Sequence, residues 1–173
     1  MGPLEVCRWL EATPGSVALH ESIWVYPIVE SVHVLMLCLF LGMTVMIDLR
    51  LLGASFGTTP VSEVYRRLAP WMMAGFAVMV MSGALLFYAV PVKTYLNIFF
   101  RLKMVFLLMA GLNVAVFHFI TSRTMPQWDG EANLPLRARL AGGVSLVLWA
   151  AIAVCGRMIA YNWFDKAAGA VVR

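Results

Sequence analysis

Four stretches made almost wholly of apolar residues, about Ile23–Ile47, Leu68–Val90, Tyr95–Ile120 and Leu140–Asn162, alternate along this chain with short polar segments. Each is long enough to cross a hydrocarbon core of about 30 Å as a helix, which takes roughly 20 residues. None shows the apolar/polar alternation of a membrane barrel strand, and a helix satisfies its own backbone groups in lipid. The pattern therefore predicts an all-α integral membrane four-helix bundle, one membrane domain over residues 1–173. Ahead of the first span, Leu4, Cys7 and Leu10 recur on one helical face and Glu5, Arg8 and Glu11 on another, with Trp9 beside them. This predicts an N-terminal interfacial amphipathic helix over about 3–12, with Pro3 in its first turn. Thr13-Pro14-Gly15 ends it, and Ser16 to Ser22 can form a short second turn. Thr59-Pro60 reads as the N-cap and first turn of a short surface helix running toward Leu68. The opening Met1-Gly2-Pro3 and mixed charges lack the basic start and A-x-A end of a cleavable signal peptide.

Composition strengthens the membrane assignment, because 62% of residues are hydrophobic and only 13% charged. The formal charge of +4 comes from basic residues at span boundaries, which points to the lipid bilayer as partner rather than to nucleic acid. Arg50, Arg66, Arg67, Arg123, Arg137 and Arg139 lie in the first and third loops. Arg8, Lys93, Lys166 and Arg173 lie on the other side, with Arg101, Lys103 and Arg157 near span ends set apart. The asymmetry predicts that both termini face outward. Trp24, Trp71, Trp149 and Trp163 near span ends fit interface anchors. Cys7, Cys38 and Cys155 form no C-x-x-C pair, so no disulfide framework is expected. Met72, Met73, Met79 and Met81 do not share one helical face, which favours packing over a copper path. Gly42, Gly75, Gly83, Gly111, Gly142 and Gly143 are expected where helices approach closely. Asp48 and Arg50 should hold the loop after the first span in place.

The informative residues are the polar ones inside the spans. In "IVESVHVLML", residues 28–37, Glu30 and His33 stand one helical turn apart in an otherwise lipid-soluble segment. A charge near a membrane helix centre costs roughly 2.5–3.5 kcal/mol, so such groups face protein, water or a ligand. At the α-helical rise His33 lies roughly 15 Å deep, Arg101 about 9 Å and Arg157 about 8 Å from the same side, with Lys103, Asn97 and Tyr161 nearby. One reading is structural: Glu30 pairs with Arg101 or Arg157, and His33 hydrogen-bonds a neighbour. The other is a b-type haem, with iron on His33, propionates on the shallower Arg101 and Arg157, and Glu30 adjusting the site. His118 falls about 20 Å below His33 and is not a second ligand for the same iron. His20 reaches His33 only if Ser16 to Ser22 folds back over the bundle mouth. The second ligand stays unassigned.

The runs "ESIWVYPIVESVHVLMLCLFLGMTVMIDLRLLG", "RRLAPWMMAGF", "FRLKMVFLLMAGLNVAVFHF" and "RARLAGGVSLVLWAAIAVCGRMIAY" resemble a family of uncharacterised four-span bacterial inner-membrane proteins. The resemblance covers nearly the whole chain and implies a bacterial inner-membrane setting without an established activity. The His-bearing first span is also similar to the CopD-like and cytochrome b561-like families, which implies intramembrane histidines in haem, metal or redox work. The separated histidine pairs of two-haem cytochromes are missing. So are H-E-x-x-H, G-x-S-x-G and a Walker loop, which argues against an autonomous enzyme. Three classes follow: a haem-binding electron-transfer subunit with a redox partner or as a homo-oligomer, a proton-coupled or small-solute transporter, and a structural subunit of a larger membrane complex.

Overall fold

The computed structural model describes residues 2–55, 59–121, 125, 127–129, 131 and 134–161. Its helices are α1 (Pro3–Glu11), α2 (Pro14–Glu21), α3 (Val25–Leu52), α4 (Val61–Ala89), α5 (Pro91–Leu96), α6 (Ile98–Val116) and α7 (Leu136–Ala160). Residues Phe117–Thr121 continue α6 as a π-helical turn. Among the described residues there is no strand. Four helices are long and apolar enough to cross a membrane: Val25–Leu52, Val61–Ala89, Ile98–Phe119 and Leu136–Ala160. The expected all-helical four-span architecture is present.

α3 sits between α4 and α7, and α6 packs on α7. The circle closes between α4 and α6 through Phe87 stacked on Phe100, their rings 5.4 Å apart. At mid-height Phe40, Met79, Ala110, Leu148, Trp149 and Ile152 form the core. Phe40 meets Trp149 edge-on at 4.7 Å and seals the centre with apolar rings. Outward-facing residues such as Leu108, Leu112 and Val147 stay exposed, as lipid-facing side chains do.

The N-terminal segment caps one end of this bundle. Cys7 is buried and Leu4 and Leu10 partly so, while Trp9 is exposed, which is the face division expected from the sequence. α1 lies on α5, and α2 on α4 and α3. The buried Ser16 hydroxyl donates to the Tyr88 carbonyl at 2.7 Å, and Thr13 Oγ1 stands 2.6 Å from the Tyr88 hydroxyl. The start of α3, the end of α4 and the end of α7 share this capped end. The other end carries the two long loops.

Several boundaries differ from the sequence reading for physical reasons. α3 runs on to Leu52 and stops at Gly53, whose φ of 75° is a left-handed C-cap. Thr59 does not cap a separate surface helix. Pro60 is the N-cap, without a side-chain cap bond, and α4 continues unbroken across Pro70 to Ala89. The cap comes from the opposite loop: Asp129 Oδ1 accepts from Ser62 N at 2.8 Å, its carbonyl accepts from Val61 N at 3.3 Å, and the Ser62 hydroxyl donates to Oδ2. Asp129→Ala should therefore cost about 1 kcal/mol in thermal unfolding, the usual loss for an N-cap acceptor. The third span begins at Ile98 rather than Tyr95, because Asn97 breaks from α5 and caps α6, accepting from Phe99 N at 2.9 Å. α7 begins at Leu136, ahead of the expected Leu140. The C-terminal part of that expectation, with Asn162, Trp163, Lys166 and Arg173, lies outside the described residues, as does Arg123.

The six glycines divide. A Cβ on Gly142 would stand 2.9 Å from Leu51 Cβ and 3.0 Å from the Asp48 carbonyl oxygen, so α3 and α7 touch backbone to backbone there. A Cβ on Gly83 would meet the His33 ring at 3.1 Å. Gly143 and Gly75 have only ordinary contacts, and Gly42 and Gly111 face open space, contrary to their expected close approach. Glycine in a membrane helix marks a contact only on the buried stripe, and these two lie off it.

Arg50 is completely buried at the loop end and does what the sequence suggested for it. Its Nε donates to the Thr59 carbonyl at 2.7 Å, and Nη2 to the carbonyls of Asp129 and Glu131 at 3.5 and 3.4 Å. One guanidinium thus ties the α3–α4 loop to the α6–α7 loop. Asp48 does not share that task. It is buried two residues, about 3 Å, deeper along α3 and its side chain bonds Ser145 on α7, with Oδ2 unpartnered among the described residues.

Candidate functional site

Below the cap, between the first and second spans, His33 Nδ1 lies 2.9 Å from Ser82 Oγ. Two helical ladders set this meeting. His33 is eight residues into α3, about 12 Å at the helical rise, and Ser82 lies at matching depth before the end of the antiparallel α4. Gly83 lets the ring press against α4, since a Cβ there would stand 3.1 Å from the ring Cε1, tighter than side chains ordinarily pack.

The direction of the bond depends on the tautomer of the ring. A serine hydroxyl has one proton, and Ser82 Oγ has acceptors in its own helix, the Val78 carbonyl at 2.7 Å and the Met79 carbonyl at 3.2 Å. When that proton turns back to Val78, the Oγ lone pairs accept from Nδ1, and the Nδ1–H tautomer leaves Nε2 with a lone pair. That is the state in which histidine binds a metal or accepts a proton, with its other nitrogen oriented by a second group.

Lys103 on α6 is the cation nearest this imidazole in electrostatic effect, and it acts on Cys155 of α7 as well. Its Nζ lies 3.7 Å from where a Gly156 Cβ would stand, so the ammonium rests against α7 backbone. Among the described residues no carboxylate forms an ion pair with it. Lys103 thus lies half-buried against α7, within electrostatic reach of both the His33 ring and the Cys155 thiol.

Closer to the capped end the arginines point elsewhere. Arg101 Nε donates to the Tyr95 carbonyl at 3.1 Å, with the guanidinium 5.1 Å from the Tyr95 ring centre. Arg157 Nη2 reaches the Tyr161 hydroxyl at 3.1 Å and lies 5.0 Å from that ring centre. Both are exposed, as is Glu30, whose electrostatic neighbour is Tyr26. Among the described residues neither arginine forms an ion pair with Glu30. Of the four residues singled out in the sequence, His33 thus lies between helices while Glu30, Arg101 and Arg157 surround the mouth. The depth order survives: Arg101 and Arg157 are each about 4.5 Å from their helix ends and Lys103 about 7.5 Å, all shallower than His33.

His20 packs edge-on to Tyr26 at 6.3 Å, and His118 edge-on to Phe119 at 5.3 Å near the loop end. Among the described residues no group of three or more His, Cys, Asp or Glu is arranged to hold a metal ion. Sequence reasoning missed Ser82, named Gly83 only as a helix contact and left Lys103 at the margin. The only signal at Ser82 was polar character at the right depth on a facing span.

The fold is that of a multi-pass helical membrane protein, with the His33 imidazole between its first and second spans. A family model matches residues 21–162, so the chain belongs to a family of unknown function, DUF6644. No curated protein and no solved structure matches the chain.

Proposed function

We propose that this chain is a small membrane subunit that binds b-type haem through His33 and transfers electrons to a redox partner in the bacterial inner membrane. The observation that carries the reading is the Ser82 bond, which in the Nδ1–H tautomer leaves Nε2 for iron. Lys103, within electrostatic reach of the ring, and the exposed Arg101 and Arg157 nearer the surface support it. Haem propionates are dianionic and belong toward water, where the two arginines lie. Haem would supply one-electron chemistry there. Ser82 would orient the His33 ring, and the arginines would hold the acidic edge. His33 is the one histidine among the described residues that would serve as its ligand, since His20 and His118 pack elsewhere.

The test is haem titration into purified protein, followed by absorbance. His33→Ala should abolish the shifted haem spectrum. Ser82→Ala should keep the fold but weaken binding roughly 10- to 100-fold, the usual effect of removing an orienting partner of a ligating histidine. Equal binding by wild type and His33→Ala would end this reading.

A proton-coupled transporter is the second reading, because α3 also carries the buried Asp48 nearer its other end. The apolar rings of Phe40 and Trp149 lie at core height between the two groups and disfavour a continuous path.

A further inference from the structure

Along the lipid-facing side of α7 runs a shallow, open apolar groove of about 610 Å³, lined by Leu52 of α3, Met109 of α6, and Leu140, Gly143 and Val147 of α7, with Arg139 at its loop end. We propose that it holds one acyl chain of a membrane phospholipid, whose phosphate rests on Arg139.

Three observations favour that occupant. The groove spans one leaflet: from Arg139 to Leu148 is about 13.5 Å along the helix, against about 15 Å for half of a hydrocarbon core. Leu148 stands at the middle of α7, so the groove begins at the headgroup level and stops near the bilayer midplane. Its chemistry is divided in the same direction. The walls are aliphatic or thioether, Leu140 and Val147 are openly exposed, and the one charged lining residue is a cation at headgroup depth. Arg139 is also available. Among the described residues its exposed guanidinium has no hydrogen bond or ion pair, whereas Arg67 at the same end of the bundle is tied to Glu63 at 2.6 Å. A phosphate is the anion that lies at this level in every leaflet, and arginine binds it with two parallel donors.

Gly143 gives the groove its depth. A Cβ there meets Leu52 Cδ2 at 3.7 Å, an ordinary contact, so a larger residue fills the groove without pushing the spans apart.

Native mass spectrometry of the detergent-solubilised full chain, titrated with phosphatidylglycerol and separately with a diacylglycerol of the same chains, tests the proposal. Wild type should hold one phosphatidylglycerol and bind the diacylglycerol more weakly. Arg139→Gln should weaken phosphatidylglycerol binding about fivefold, the effect of one basic residue at an anionic surface. Gly143→Leu, or Val147→Trp if that variant folds better, should remove the adduct. Thermal unfolding identifies the variants that keep the bundle. Wild-type binding in both an Arg139 and a groove-filling variant overturns the proposal. So does a wild-type dimer that Gly143→Leu dissociates while the lipid adduct persists, because the groove then belongs to a second copy. Neither outcome bears on His33.

Discussion

Replacing Arg50 with Met should lower stability by about 3 kcal/mol and free both loops to proteolysis. The guanidinium is wholly buried and supplies donors to the carbonyls of Thr59, Asp129 and Glu131. A buried carbonyl left without a donor costs about 1–3 kcal/mol; the 2.7 Å bond contributes at the high end, and the two bonds of 3.5 and 3.4 Å, at the limit of hydrogen-bonding distance, add little. Methionine fills most of the volume but donates nothing. Lysine keeps the charge yet places one nitrogen where three acceptors diverge, so Arg50→Lys should fall between wild type and Arg50→Met. The measurement is thermal unfolding in detergent beside limited proteolysis. An Arg50→Met protein as stable and protease-resistant as wild type would show that the loops are held by the Ile47, Leu51, Val61 and Trp128 cluster alone.

Gly142→Leu should be nearly as damaging, by about 3 kcal/mol, while Gly111→Leu should change stability by less than about 0.5 kcal/mol. At Gly142 the obstacle is Leu51 Cβ and the Asp48 carbonyl, which belong to α3 itself and yield only if the helix moves. That movement would also stretch the bond between Asp48 and Ser145. At Gly111 the new side chain enters open space on the lipid side. Comparing the two unfolding midpoints separates a true helix contact from a merely tolerated glycine. Equal losses would contradict the packing described for α3 and α7.

This contrast shows where the sequence was legible. Span number and helical class follow from apolar length, because the cost of bare backbone in lipid leaves few alternatives. The inward face of α1 was readable from Leu4, Cys7 and Leu10, a local period. Gly142 and Gly111, by contrast, are the same residue in similar apolar settings, and only the rotation of each helix in the bundle separates them. The α4 cap was hidden for another reason: its acceptor, Asp129, lies 67 residues from Ser62. The expected surface helix from Pro60 toward Leu68 and the second span proved to be one helix, because a change from charged to apolar composition at Leu68 looked like a boundary while α4 runs straight through it and through Pro70. At the candidate site His33 stood out as an ionisable group at membrane depth. Its partner Ser82 did not, since a serine that bonds its own helix is ordinary in a span until a second helix brings an imidazole to it.

The central proposal is that His33 is the ligand-binding residue. Its most direct test is the reduced-minus-oxidised spectrum of wild type, His33→Gly, and His33→Gly with added imidazole, each purified from haem-supplemented cells. The account predicts a haem spectrum in wild type, its loss in the glycine variant, and its return when free imidazole occupies the space the side chain left. A colourless wild type, or a His33→Gly protein that keeps its haem without imidazole, would contradict it.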